Sequence, residues 1–331
     1  MGICDYMKIL YYPKNNGVNE YSNRFKTLLS KFGNIEGHTS KELLLSLTKF
    51  KFRKFDYAFV NWLESGLVNK NGRISFYCLT KCYLKTWLFK LVSRRVVYVR
   101  HNFYPHAAVE SDIKRARQYT DLLESLYDSV IVHSPVVSQD DKRYIPHPLY
   151  HSVIPQGDVD PPLLSYVFFG RITKYKKLDQ LIAAVPKSVK LTIAGSCDDA
   201  EYLNYLTGIA GDNIDVRAGF LSDDEAHLLI NNSQGLIIAH SDSDMIVSGS
   251  FFYSLSAGVR VISVESDFLV WAEKELGHDI IVCFKDIASL GEGLSVLKPR
   301  VHFDGKLNEV IRMNFGDETI CNALKNKILI D

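Results

Sequence analysis

The chain has 331 residues, 47% of them hydrophobic and 23% charged, with a net charge of +1. That is room for two domains with separate cores, and no apolar run approaches the roughly 18 residues that span a bilayer. Near-neutral charge and the lack of a recognisable binding motif argue against a nucleic-acid binder.

At the start, Cys4, Asp5 and Lys8 stand where a secretory signal needs an apolar core, and Tyr6 stands where an acylation signal needs Ser or Thr. Met7 opens a strand better than Met1 does, which leaves two candidate start sites. Residues 8–12 form that first strand, ended by Pro13 and a turn at 14–17; residues 20–32 have a helical rhythm. Residues 56–62 (DYAFVNW) and 95–99 (RVVYV) are β-branched and aromatic runs of strand length, with a helical stretch around 82–92 between them. A helix over 111–127 and a strand at 129–132 follow. The alternation pauses at 144–162, where Pro146, Pro148, Pro155, Pro161 and Pro162 predict a linker.

Alternation then resumes, with strands at 165–169, 190–193, 214–218, 235–239, 259–264 and 280–284. Helices fall at 178–184, 200–209, 223–231, 250–257 and 268–276. Two successive α/β halves, each with a parallel sheet, are the expected architecture. The domains would run 1–155 and 156–310, with a helix over 311–331 crossing back to the first. Ligands of such folds sit outside the carboxyl ends of the strands, here in a cleft between the halves. The six cysteines are scattered, with no C-x-x-C pair, and read as reduced thiols in a cytosolic protein.

Two segments suit a diphosphate. Gly170-Arg171 and Lys176 follow a strand and precede a helix, offering a guanidinium and an ammonium to a departing anion. Ser248, Gly249 and Ser250 open a helix whose backbone N–H groups and dipole favour negative charge. Each segment alone also reads as an ordinary basic turn or an ordinary helix cap.

Taken together, FFGRITKYKK (168–177), LTIAGS (191–196), GFLSDDEAHLLINNSQGLIIAHS (219–241) and SLSAGVRVIS (254–263) resemble the second domain of GT-B glycosyltransferases. HNFYPH (101–106) and NWLE (61–64), with the SGS at 248–250, are similar to motifs of a bacterial exopolysaccharide and O-antigen subgroup. The resemblance implies a GT-B fold of two Rossmann-like domains. It also implies transfer of a hexose from a nucleotide-diphosphate sugar to a lipid-linked oligosaccharide in surface polysaccharide synthesis. The donor would meet Gly170, Arg171, Lys176, Ser248, Gly249, Ser250 and Asp242; Asn102 and Gly17 would lie on the acceptor side. Where the retaining branch carries two glutamates, this chain has Met245 and Tyr253. An inverting transfer is therefore expected, with a base from the first domain: Glu64, then His106, then His101. An epimerase of the same fold and a catalytically silent nucleotide-binding partner remain open.

The acidic triplet 242–244 invites a metal, but the nearby cations make none necessary; no cofactor is expected. Charge is unevenly spread: residues 1–160 carry 23 Lys and Arg against 15 Asp and Glu, and residues 161–331 carry 16 against 23. Leu84, Trp87, Leu88 and Leu91 share one helical face amid Lys81, Lys85, Lys90, Arg94 and Arg95. That face either packs into the core or lies on anionic lipid, peripheral to the inner face of the plasma membrane.

Overall fold

The computed structural model describes residues 6–14, 19–48, 52–138, 140, 143–151, 161–240 and 246–329. The chain divides into two compact units, one comprising Met1–Pro148, Ser243–Val247 and Asp317–Asp331, the other Leu149–Asp242 and Ser248–Gly316.

The first unit opens with β1 (Met7–Tyr12), α1 (Glu20–Leu29), β2 (Gly33–Gly37), α2 (Ser40–Thr48) and β3 (Phe55–Asn61). It continues with α3 (Phe76–Val92), β4 (Ser93–Arg100), α4 (Ile113–Glu124) and β5 (Ser129–Val132). The five strands are parallel in the order β2-β1-β3-β4-β5. Their runs are almost continuously apolar because helices cover both faces. Ala58, Val60, Val96 and Tyr98 pack with Leu43, Phe89 and Leu123 of α2, α3 and α4. Phe59 points the other way, its ring 6.0 Å from Phe25 of α1. Order reverses between β1 and β3, and there Asn61 at the end of β3 donates to the Tyr12 carbonyl at the end of β1 (3.1 Å).

Sequence periodicity passes over β2 and α2, which are short and half-exposed. The proline-rich stretch also differs from expectation: residues 145–149 are buried, and the Ile145 N–H extends the sheet by donating to Val132 O (3.2 Å). On the long helix, Leu88 packs against the core, whereas Leu84, Trp87 and Leu91 are 64%, 49% and 44% exposed.

The second unit comprises β6 (Ser165–Phe169), α5 (Leu178–Ala184), β7 (Lys190–Gly195), α6 (Ala200–Ile209), β8 (Ile214–Ala218), α7 (Asp223–Asn231) and β9 (Leu236–Ile238). It goes on through α8 (Gly249–Ser256), β10 (Val261–Val264), α9 (Asp267–Leu276), β11 (Ile281–Phe284), α10 (Ile287–Leu294) and α11 (Gly305–Phe315). All six strands are parallel, in the order β11-β10-β9-β6-β7-β8. One core joins α5, α6 and α10 to the sheet through Leu181, Leu206 and Leu290. A second, aromatic cluster ties α8 to α9 and α11, with Phe252 5.8 Å from Phe268 and 5.3 Å from Phe315. The reversal of strand order lies between β6 and β9, so the loops leaving those strands open the crevice where such sheets bind ligands.

The chain ends with α12 (Asp317–Lys327), which belongs to the first unit and packs on α1. Arg24 of α1 donates to Asp317 at 2.6 Å. Cys78, Cys82, Cys197, Cys283 and Cys321 are unbridged. Among the described residues, no helix is long and apolar enough to cross a membrane.

Candidate functional site

In the second unit, glycines end adjacent strands. Gly170 after β6 has φ 139° and Gly195 at the end of β7 has φ 143°, a region that favours glycine. A Cβ at Gly195 would meet Gly170 O at 2.1 Å, so the two strand ends can approach only without a side chain there. The bare backbone at Gly170 leaves space that two other elements share. A Cβ built at that position would lie 3.0 Å from Lys176 Nζ and 3.5 Å from Ser250 Oγ. Lys176 comes from a 3-10 turn over Lys174–Lys176, is 7% exposed, and holds its ammonium 5.1 Å from the Phe168 ring. Ser250 lies in the first turn of α8 and donates to Phe169 O (3.3 Å). Ser248 takes the N-cap position without turning its hydroxyl onto the first-turn N–H groups of α8. Tyr150 packs beside that turn, its Oη 3.0 Å from where a Gly249 Cβ would stand.

Arg171 does not join this group. Its guanidinium is on the surface and hydrogen-bonds the exposed carboxylate of Asp198. Such a pair is weak in water and exchangeable for a stronger anion. Tyr253 is walled by Phe169 (5.0 Å), Tyr150 (5.5 Å) and His227 (5.8 Å). Asp242, Gly17 and Met245 lie outside the described residues. A separate groove of about 460 Å³ runs between α7 and the sheet, past Ser165, Thr192 and Arg217, and contains none of the residues around Gly170.

In the first unit, the carboxyl ends of β3, β4 and β5 carry Trp62, His101 and His133. Trp62 adopts a left-handed backbone (φ 50°, ψ 29°), rare for a bulky residue. Its indole stacks on the His101 ring, with centroids 4.2 Å apart and planes at 11°. Tyr21 meets His101 edge-on at 4.8 Å. The hydrogen bonds fix the tautomers. Asn61 gives its amide to Tyr12 O, so its Oδ1 accepts from His101 Nε2–H (3.0 Å), and the lone pair of His101 is on Nδ1. His133 Nδ1 faces the Ile145 carbonyl (2.8 Å) and must donate, so Nε2 accepts from Tyr21 Oη (2.8 Å). His147 likewise donates from Nδ1 to Pro148 O (2.7 Å). Burial pushes the His101 and His147 pKa values well below the ordinary range, with neighbouring histidines adding to the effect; burial lowers His133 to about 4. All three are neutral near pH 7.

Glu64 occupies a different place from the one expected of a base. It is fully buried, accepting from Tyr98 Oη at 2.7 Å and from Asn102 Nδ2 at 3.2 Å. Burial raises its pKa against the pull of those donors. Arg100 completes the support by donating to the carbonyls of Asn102 (3.2 Å) and Phe103 (3.0 Å) while pairing with Glu124 (2.6 Å). Glu64, Asn102 and Arg100 therefore hold the loop that presents His101. His106 is exposed farther along this loop. Sequence reading missed Tyr21, Tyr98, Arg100, His133 and His147, which come together only through the sheet. Among the described residues, no group of three or more His, Cys, Asp or Glu is arranged to hold a metal ion.

No protein-family model matches this chain, and no curated protein matches it. Solved structures do. HepE of Anabaena in complex with UDP and glucose aligns with a TM-score of 0.62 and 12% identity, over 98% of this chain and 99% of that one. AviGT4, a glycosyltransferase involved in avilamycin A biosynthesis, aligns at 0.57 and 12%, over 97% and 96%. Sucrose-phosphate synthase from Thermosynechococcus elongatus aligns at 0.62 and 13%, over 96% and 97%. Identity this low shows the fold alone: two parallel α/β units of the GT-B type.

Two outcomes test the first-unit assignments. Glu64→Leu strands the Tyr98 hydroxyl and the Asn102 amide and should cost about 2–4 kcal/mol in denaturant unfolding, while Glu64→Gln, which can still accept one bond and donate the other, should cost about 1 kcal/mol or less. Because the folded pKa of His133 is depressed, the unfolded chain binds the extra proton. The stability linked to His133 is thus complete above about pH 6.5 and lost as pH falls toward 4. Unfolding titrations of His133→Gln should show about 3 kcal/mol less acid loss than the parent over that window.

Proposed function

We propose that the chain is a nucleotide-sugar glycosyltransferase. The observation that carries this reading is the convergence of the Lys176 ammonium, the Ser250 hydroxyl and the opening turn of α8 on the bare backbone of Gly170, at the strand-order reversal of the second unit. A diphosphate there meets a buried cation, a hydroxyl and a helix N-terminus, the groups that stabilise charge on a leaving phosphate. Arg171 would exchange Asp198 for the diphosphate. The similarity to HepE, whose structure holds UDP and glucose, supports a nucleoside diphosphate sugar as donor.

For the acceptor, the first unit offers His101. It is neutral, its Nε2–H is anchored on Asn61, and its Nδ1 lone pair is left to take a proton. In the proposed step the acceptor oxygen attacks the anomeric carbon and His101 Nδ1 takes the hydroxyl proton. The bond from the anomeric carbon to the phosphate oxygen breaks, and the diphosphate leaves with the electron pair. The face of Trp62 lies against the ring that becomes cationic. Tyr253 in place of a carboxylate favours this inverting route. Leaving-group charge is met by Lys176, Arg171 and the α8 amides, with no cofactor assigned. The sequence motifs at 101–106 and 248–250 point to a hexose donor and a lipid-linked oligosaccharide acceptor. Work on that acceptor, in surface polysaccharide synthesis, would take place at the cytoplasmic face of the membrane.

Thermal-shift screening with UDP, GDP and ADP and their sugars should reveal one stabilising nucleotide. Lys176→Ala should weaken its binding at least about tenfold and cost about 2–4 kcal/mol of barrier; unchanged calorimetric affinity would remove the ammonium from the site. His101→Ala should keep that affinity and lower kcat by about 10²–10⁴-fold. A proportional loss of both would make His101 a structural residue.

A further inference from the structure

The long helix α3 is apolar on two sides. Cys82, Thr86, Phe89 and Val92 face the core of the first unit. The opposite side should be polar in a helix that meets only water. It carries instead Phe76, Tyr77, Tyr83, Leu84, Trp87 and Leu91, every one exposed. At 3.6 residues per turn these six fall in one stripe, with Lys81 along one border and Lys90 along the other. The neighbouring α2 packs against α3 and exposes Leu44 and Leu45. A contiguous apolar patch of this kind on a folded chain marks a surface that something covers.

Charge identifies the occupant. Between residues 49 and 100 the chain carries twelve Lys and Arg against two Asp and Glu. One of those two acids, Glu64, is fully buried, and the other, Asp56, faces Arg94 at 3.7 Å. Lys90 reaches Asp128 (3.1 Å) and Lys85 the Tyr12 hydroxyl (3.0 Å), while Lys70, Arg73, Lys81 and Arg95 project into solvent. An apolar stripe rich in aromatic rings and bordered by lysines matches the boundary of an anionic bilayer, where rings and leucines enter the acyl edge and ammonium groups meet phosphate. A protein partner fits less well, because it would have to supply matching acids around an aromatic patch.

We infer that the outer face of α3, extended by α2, docks on an anionic phospholipid surface, lying in the interface without crossing it. The inference deepens the proposed transfer to a lipid-linked acceptor by giving the first unit its own hold on the membrane. It is measured without donor or acceptor, so either reading can fail alone.

The test is sedimentation of the full chain with vesicles of phosphatidylcholine containing phosphatidylglycerol, beside vesicles of phosphatidylcholine alone, at low and high salt. Binding should require the anionic lipid and weaken with salt. Lys81→Gln with Lys90→Gln should weaken it about fivefold per charge removed. Leu84→Ser with Trp87→Ser should reduce it at least about tenfold, with thermal unfolding unchanged because both side chains are exposed. Brominated lipid should quench tryptophan emission in the parent, and Trp87→Phe should abolish that quenching while vesicle binding persists. Equal binding to neutral and anionic vesicles, no binding to either, or parent-like binding by the double variants would overturn the inference. So would a dimer in solution that Leu84→Ser with Trp87→Ser breaks, since the patch would then serve a second copy of the chain.

Discussion

At the end of β6 a single missing side chain decides how closely other elements of the second unit approach the strand end. Gly170 leaves its backbone bare, and the Lys176 ammonium and the Ser250 hydroxyl arrive from two other elements at the distance a methyl group would need. The neighbouring strand must end in Gly195 for the backbones to close, so one glycine depends on the next. Parallel strands fix the rest: β6 and β9 are adjacent while the chain leaves them in opposite directions, which opens a crevice beyond their carboxyl ends. α8, which follows β9, brings its N-terminus to that opening.

The first unit applies a parallel logic with different chemistry. Its sheet also reverses between neighbouring strands, and the residues beyond the strand ends are aromatic and imidazole rings. What orients them is mostly out of reach of solvent. Glu64 and Arg100 grip the loop after β4 through Asn102 and Phe103, and Asn61 grips the His101 ring itself. A buried carboxylate with two donors is costly to form and costly to lose, so it fixes geometry where a surface pair would permit drift. The left-handed turn at Trp62 is the local cost of laying an indole flat on an imidazole.

Most of the fold was legible because strands covered on both faces are dense in β-branched and aromatic residues, and DYAFVNW or RVVYV can be little else. β2 escaped because GNIEG, at the sheet edge with glycine at both ends, has no such density. That Gly170 and Lys176 stand between a strand and a helix, and that Ser250 opens another helix, could be read from two separate segments, but not that the three meet. The surroundings of the candidate base could not. The roles of Glu64 and Asn102 depend on a contact across 38 residues, and the histidine cluster draws on Tyr21, His101, His133 and His147, each unremarkable in its own segment. Arg171 offers a guanidinium beside the glycine, but its partner, Asp198, comes from the loop after the next strand.

Neither unit is a continuous stretch of polypeptide. The first takes its sheet from the opening 148 residues and then waits for α12, whose Asp317 reaches Arg24 on α1. On the ribosome, the face of α1 that α12 covers therefore stays open while residues 149–316 are synthesised. Any attempt to express it separately would have to splice residues 317–331 back on, by fusion or as a permuted chain.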